Sequence, residues 1–258
     1  MRYFTFCQDA LVLERTGDGY RIPEAAPTEI KPWTTVMNVD GDKAYRIDQP
    51  LTGSDRYEMC PLRQSYYKLP EQDYLKAGKC HELLYWDQNT RFCGCCGGAM
   101  RFDTDISKKC EQCGKEVWPQ LAIAIIVLIR KEDQVLLVRA RNFRHDFYGL
   151  VAGFVETGET LEEAVHREVM EETGLSVTET KYLFTLPNDY EYSGLPIPTM
   201  DVFFVCRVDD FVPLHADDDA AECVFIKKDE LNPDDFGLKS IRRAMKMIKE
   251  NPAILWQD

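Results

Sequence analysis

The densest set of chemically useful side chains lies between Gly153 and Leu175, where Glu159, Glu168, Glu171 and Glu172 crowd around one short segment. Thr160 followed three residues later by Glu163 is a capping-box pattern, and Gly174 is a natural C-terminal stop, so a helix is predicted from Thr160 to about Thr173. Leu161, Ala164, Val165 and Val169 recur at three- and four-residue spacing and form its buried stripe. Glu168 then shares one surface with Glu171 and Glu172, and a cation is the simplest way to keep such close carboxylates ionised at neutral pH. Oxygen donors with no soft ligand beside them suit Mg²⁺ or Mn²⁺ better than zinc. Arg167 is placed to reach back to Glu159 and tie the preceding loop to the helix. A solvated acidic face is the plain alternative for a Glu-rich helix. Gly153, Gly158 and Gly174 argue against it, because they sit where backbone must turn or approach another group closely.

A second cluster is built from sulfur. Cys93-Gly-Cys-Cys96-Gly and Cys110-Glu-Gln-Cys113-Gly are two knuckles separated by 13 residues, a spacing suited to one tetrahedral Zn²⁺ site in a ribbon. The glycine after each knuckle allows a tight turn that aims backbone N–H groups at the thiolates. A redox dithiol is the alternative. Cys95 could replace Cys96 beside Cys93, but the symmetry of the knuckles favours Cys93, Cys96, Cys110 and Cys113. Four thiolates fill the coordination sphere, so such a zinc is structural. Cys7, Cys60, Cys80, Cys206 and Cys223 read as core thiols.

Composition limits the class. The 258 residues suggest about two domains, with 45% apolar and 29% charged residues. The longest apolar run, Leu121 to Ile129, is 9 residues and spans no membrane. The first residues lack the apolar stretch of a secretory signal, so a cytoplasmic enzyme is expected, with ten cysteines serving as metal ligands and buried thiols. A net charge of -13 disfavours a generic nucleic-acid binder and would repel a polyphosphate unless a metal neutralised the site.

These landmarks sit in three expected regions: a mixed domain over 1–90, a ribbon over 91–117 and an α/β sandwich over 118–258. Strands are expected at Tyr3–Phe6, Leu11–Leu13 and Ala44–Ile47, and a helix from Glu71 to about Trp86. Pro23, Pro27, Pro32 and Pro50 make the intervening stretches loop-rich. Strands follow at Leu121–Arg130, Gln134–Val138, Val177–Thr185, Asp201–Val208 and Glu222–Ile226, before a closing helix at Leu238–Lys249. His145, His166 and His215 are read as surface residues and His81 as a core histidine on the helix before the ribbon.

The spacing Gly-x5-Glu-x7-Arg-Glu-Val-x-Glu-Glu-x-Gly-Leu matches, at every fixed position over 23 residues, the signature of the Nudix hydrolases, and the chain resembles that family. The order of N-terminal domain, Cys₄ ribbon and signature resembles its NADH pyrophosphatase subfamily. So do Leu62-Arg63-Gln64, Arg91-Phe92-Cys93-Gly94 and Trp118-Pro119-Gln120. The resemblance implies an α-β-α Nudix sandwich with a mixed sheet, working as a homodimer. It also implies cleavage of NAD(H) to AMP and nicotinamide mononucleotide. On that likeness Glu168, Glu171, Glu172, Glu222 and the Ala152 carbonyl hold divalent metal, with Glu171 or Glu222 as general base and Glu159 and Arg167 completing the catalytic set. Phe154 and Trp118 stack on the substrate ring, and Arg63 contacts a phosphate or ribose. Beyond the signature helix the subfamily carries Ser-Gln-Pro-Trp-Pro-Phe-Pro-x-Ser. Here Thr185-Leu-Pro-Asn-Asp-Tyr-Glu-Tyr-Ser193 keeps only Pro187, an aromatic at Tyr190, and Ser193. The ring-binding surface is therefore rebuilt, and ADP-ribose, FAD or an NAD-capped RNA end stand as alternative substrates. A non-catalytic nucleotide sensor is the more distant alternative.

Overall fold

Tyr3–Cys7 (β1) is buried along nearly its whole length, which an alternating edge strand would not tolerate, because it lies at the centre of a sheet. The computed structural model describes residues 1–26, 35–140, 147–192, 195–208 and 220–256. It divides into two compact units, Met1–Gln120 and Leu121–Asp258. Among the described residues no helix is long and apolar enough to cross a membrane.

In the first unit β1 is joined by Ala10–Thr16 (β2), Gly19–Arg21 (β3), Thr35–Val39 (β4), Asp42–Arg46 (β5) and Tyr57–Pro61 (β6). The order is β3-β2-β1-β5-β4, with β6 also on β2 and only β1 and β5 parallel. A short helix, Leu62–Ser65 (α1), leads into Glu71–Asn89 (α2), whose Tyr74, Ala77, Cys80, Leu83, Leu84 and Trp86 pack on the sheet with Phe4, Phe6, Leu11 and Leu13. β4 falls in the stretch between Pro23 and Pro50 that is read as loop-rich, and β6 lies in a stretch where no strand is expected. Pairing with β5 and β2 overrides that local tendency. The ribbon, Met100–Thr104 (β7), Ser107–Cys110 (β8) and Glu116–Val117 (β9), is a separate three-stranded sheet. Its Lys108 is buried, pairs with the Asp87 carboxylate at 2.7 Å and donates to the Asp87 and Thr90 carbonyls at the end of α2.

The second unit is layered. Ala122–Lys131 (β10) is apolar on both faces because both are covered: Ile126 and Leu128 pack towards one helix, Ile125, Val127 and Ile129 towards another. Gln134–Ala140 (β11), Val151–Phe154 (β12), Leu161–Thr173 (α3), Val177–Tyr192 (β13), Leu195–Val208 (β14) and Ala220–Lys227 (β15) follow. Two 3₁₀ turns, Lys228–Glu230 and Pro233–Asp235, then precede Lys239–Glu250 (α4) and Ala253–Trp256 (α5). The mixed sheet runs β13-β14-β10-β11-β15, with β12 beside β10 and β10 parallel to β14. Ala164, Val165 and Val169 of α3 cover one face; Ile241, Ala244, Met245 and Ile248 of α4 cover the other. This is the α-β-α sandwich expected from the sequence. β13 and β14 are longer than expected, since Tyr192 pairs with Leu195 across prolines 187, 196 and 198. Pro187 is tolerated because β13 is the sheet edge.

Candidate active site

The signature loop and α3 are fixed first by backbone chemistry. Thr160 Oγ1 accepts from the Glu163 N–H at 3.2 Å while the Glu163 carboxylate accepts from the Thr160 N–H at 2.7 Å, so the capping box is complete. Gly174 closes the helix in the left-handed conformation, φ 71°, and donates to the Met170 carbonyl. α3 packs its apolar stripe on the sheet and turns Arg167, Glu168, Glu171 and Glu172 towards the loop after β12.

Arg167 organises that surface. It donates to Glu159 through Nε at 3.1 Å and Nη2 at 2.7 Å, to Glu168 at 2.6 Å, to Glu171 at 3.2 Å and to the Phe154 carbonyl at 3.0 Å. Glu159 also accepts from the Glu156 N–H at 2.7 Å, and Arg167 followed by that N–H holds its carboxyl below the usual range. Glu159, then Glu168, raise the Arg167 guanidinium further above its ordinary value. Loop and helix are thus joined by a planar donor that matches several acceptors at once.

Two further contacts shape the acidic face. A Cβ on Gly153 would overlap the Glu168 carboxylate, so the glycine leaves the place that this carboxylate occupies. The Ala152 N–H donates to Glu172 at 3.5 Å. Arg167 draws Glu168 and Glu171 to itself while Glu172 turns to Ala152, and the three glutamates do not offer oxygens that all lie within 4.8 Å of one another. The donor set still suits a hard divalent cation: carboxylates from one helix face beside an exposed loop backbone, with no thiol or imidazole among these contacts.

The remaining expected residues are placed as follows. Phe154 ends β12 and is 45% exposed; in the first unit Trp118 is 54% exposed and Arg63 lies exposed on α1. The backbone of Glu222 stands opposite Arg139 in the β11–β15 ladder, beside a bulge. The backbone of Tyr190 stands opposite Ile197. The side chains of Glu222 and Tyr190, and the whole of Ser193, His145 and His215, lie outside the described residues. His166 is exposed, and the half-buried ring of His81 packs 5.2 Å from Phe6.

The sulfur cluster assembles. The Sγ atoms of Cys93, Cys96, Cys110 and Cys113 all lie within 4.8 Å of one another, and Cys93–Cys113 and Cys96–Cys110 are 3.7 and 3.5 Å apart. Tetrahedral zinc with Zn–S near 2.3 Å requires sulfurs about 3.8 Å apart. Gly97 and Gly114, at φ 75° and 73°, return N–H groups to the Cys93 and Cys110 carbonyls, a conformation that favours glycine. The Cys95 N–H points at Cys93 Sγ at 3.4 Å, while the Cys95 side chain is exposed and outside the cluster. The Cys113 N–H holds the Cys110 thiol down to about 6. Among the described residues no other group of three or more His, Cys, Asp or Glu gathers this tightly. Cys7, Cys60, Cys80 and Cys206 are buried and Cys223 is half-buried.

One buried acid does not stand out in the sequence. Asp201, on β14, is 2% exposed, accepts from Thr199 and lies beside Ser240 at the start of α4. The signal for it is a charged residue in phase with Phe203 and Val205, positions that face the core.

Comparison with known proteins agrees with this geometry. The NUDIX domain family matches residues 118–246, half of the chain. The NAD-capped RNA hydrolase NudC of Deinococcus radiodurans is 39% identical over 151 residues, which cover 56% of this chain and 54% of that protein. The protein of that name from Salmonella heidelberg is 40% identical over 136 residues, 51% of each. The chain spans about half the length of the curated relatives it matches. A solved NUDIX hydrolase from Nitrosomonas europaea is 22% identical with a TM-score of 0.49, covering 63% of this chain and 92% of that one. With the signature complete and the sandwich built around it, the chain belongs to the Nudix family.

Proposed function

We propose that this protein is a metal-dependent pyrophosphohydrolase that splits the phosphoanhydride of NAD(H), free or as the cap of an RNA, releasing nicotinamide mononucleotide with AMP or with the 5′-phosphorylated RNA. The observation that carries the reading is the Arg167 junction, which joins the Phe154 carbonyl, Glu159, Glu168 and Glu171 into one unit at a complete signature. The relatives named as NAD-capped RNA hydrolases support the choice of substrate.

Glu168, Glu171 and Glu172, with Glu222 and the Ala152 carbonyl, would hold Mg²⁺ or Mn²⁺. When bound, such ions neutralise the pyrophosphate and lower the pKa of a coordinated water. The protein's own work is positional. Arg167 keeps Glu168 and the Phe154 turn in register, and Glu171 or Glu222 accepts the proton of the attacking water. Phe154 offers a flat apolar face to a base or nicotinamide ring, with Tyr190 and Ser193 as further contacts. The cysteine cluster would hold a structural Zn²⁺. We place the enzyme in the cytoplasm as a homodimer. The domain limits 1–90, 91–117 and 118–258 remain our division, with the ribbon as a separate module.

The test is incubation with NADH, NAD⁺, ADP-ribose, FAD and an NAD-capped RNA in Mg²⁺ and in Mn²⁺, with products identified by mass spectrometry and Glu172→Gln as the inactive control. Release of nicotinamide mononucleotide by the wild type and not by the control is expected. Preference for ADP-ribose or FAD would move the substrate to the alternative that the Thr185–Ser193 segment motivates. Tight nucleotide binding without hydrolysis in either metal would replace the enzyme by a sensor.

A further inference from the structure

Four residues form a row across the sheet of the second unit. Leu186 pairs with Asp201, Asp201 with Ala124, and Ala124 with Phe154. Cross-strand partners present their side chains to one face, and Phe203 and Val205, in phase with Asp201, pack in the cluster that holds α4. The row is therefore covered at one end and open at the other. Leu186 and Asp201 are buried, Ala124 is half-buried and Phe154 is exposed. Strand spacing puts Asp201 about 10 Å from Phe154, at the inner margin of the open floor.

The hydrogen bonds around Asp201 are directional. Thr199 Oγ1 lies 3.1 Å from Asp201 Oδ1 and 3.2 Å from the Asn188 carbonyl oxygen. The hydroxyl donates to Asp201 Oδ1 and shares its one proton with the Asn188 carbonyl, so Thr199 ties the acid to the Asn188 rung. Burial pushes the carboxyl up, against the side chains of Ser240, Thr199 and Asn188 that face it. Asp201 Oδ2 and Ser240 Oγ are buried without a partner of full hydrogen-bond geometry among the described residues.

We propose that Asp201 is a positioning residue: through the Thr199 hydroxyl it fixes the Asn188–Thr199 rung of the β13–β14 hairpin, and with it the floor beside Phe154 on which a dinucleotide ring lies. That a dinucleotide is the ligand rests on the function proposed above. The segment where this chain departs from the NADH-cleaving pattern is then a hairpin anchored by its own buried acid.

The experiment compares Asp201→Asn, Asp201→Ala and Thr199→Val with the wild type, by steady-state kinetics on NADH and by backbone amide exchange. The Asn side chain keeps an oxygen that accepts from Thr199, so Asp201→Asn should stay within about threefold of wild type in KM. Asp201→Ala and Thr199→Val should raise KM at least tenfold with kcat within threefold, and speed exchange over residues 187–200 while leaving 161–173 unchanged. Thr199→Val carries the test if the alanine variant fails to fold. Asp201→Asn as impaired as Asp201→Ala would overturn the idea, as would unchanged KM or unchanged exchange over 187–200 in both disruptive variants. If the wild type cleaves no dinucleotide, the functional reading fails by itself, and the exchange data alone decide the anchoring.

Discussion

Arg167→Met keeps the length and packing of the side chain and removes every donor that joins the signature loop to α3. The hydrogen bonds to Glu171, which is 56% exposed, and to the Phe154 carbonyl face solvent, and their removal counts for little. The part-buried bonds to Glu159 and Glu168 dominate, and in the variant Glu159 retains only the Glu156 N–H. Counting each of the two part-buried carboxylates once, at the lower end of about 1.5 kcal/mol for a hydrogen bond to a charged group, removal of the guanidinium costs about 3 kcal/mol. An interaction made equally in the free enzyme and in the transition state cancels from kcat/KM, so the loss reaches turnover only as the cost of re-ordering the freed loop at the transition state, at most roughly two decades. The assay pairs urea unfolding with metal-dependent release of nicotinamide mononucleotide, and Arg167→Lys serves as a partial restoration, because one ammonium can keep one of the carboxylate pairs. A methionine variant within threefold of wild type in turnover and within about 0.5 kcal/mol in stability would show that the guanidinium joins nothing of consequence.

Other perturbations test separate parts of the structure. Gly153→Ala should leave stability within about 1 kcal/mol, because the clash is with the far end of the Glu168 side chain, yet weaken Mn²⁺ binding about tenfold by displacing that carboxylate; calorimetric titration reads it, and unchanged affinity would remove Gly153 from the site. Cys110→Ser should abolish stoichiometric zinc and speed amide exchange over 100–117 while sparing 161–173, which lies in the other compact unit; equal loss in both segments would contradict a purely local staple. Burial would raise the Asp42 carboxyl, but Lys76 and Arg2 outweigh it and hold it at about 2, below the ordinary 3.8. A depressed folded pKa gives stability that is full above the ordinary value and is lost as pH falls through the folded one. Asp42→Asn should therefore remove roughly 2 kcal/mol at pH 6 and flatten the stability curve between pH 4 and 2. An unaltered acid slope in urea titrations would count against it.

Local patterns carried much of the site because local interactions make it. The capping box, the Gly174 stop and the reach from Arg167 to Glu159 all operate within 15 residues, and each was legible as spacing. The zinc knuckles are equally local: Gly97 and Gly114 turn the chain within each knuckle, and the ribbon pairing then brings the two halves together. Proline punctuation, read from neighbours, obscured the strand at Thr35–Val39, and the one at Tyr57–Pro61 carried no local strand pattern; the pairing of both is set by distant partners. The long β13–β14 hairpin was shortened for the same reason.

Residue order alone supplied the chemistry on offer: four thiolates at ribbon spacing, and a helix with glutamates on one face and valines on the other. Tertiary structure alone decided which groups meet. It set Glu168 over Gly153, turned Glu172 to the Ala152 N–H, and buried Asp201 beneath the start of α4. Spacing along a chain fixes contacts within a few turns of a helix or hairpin. Contacts between strands and helices far apart in sequence depend on sheet order and register, which arise only when the whole core packs.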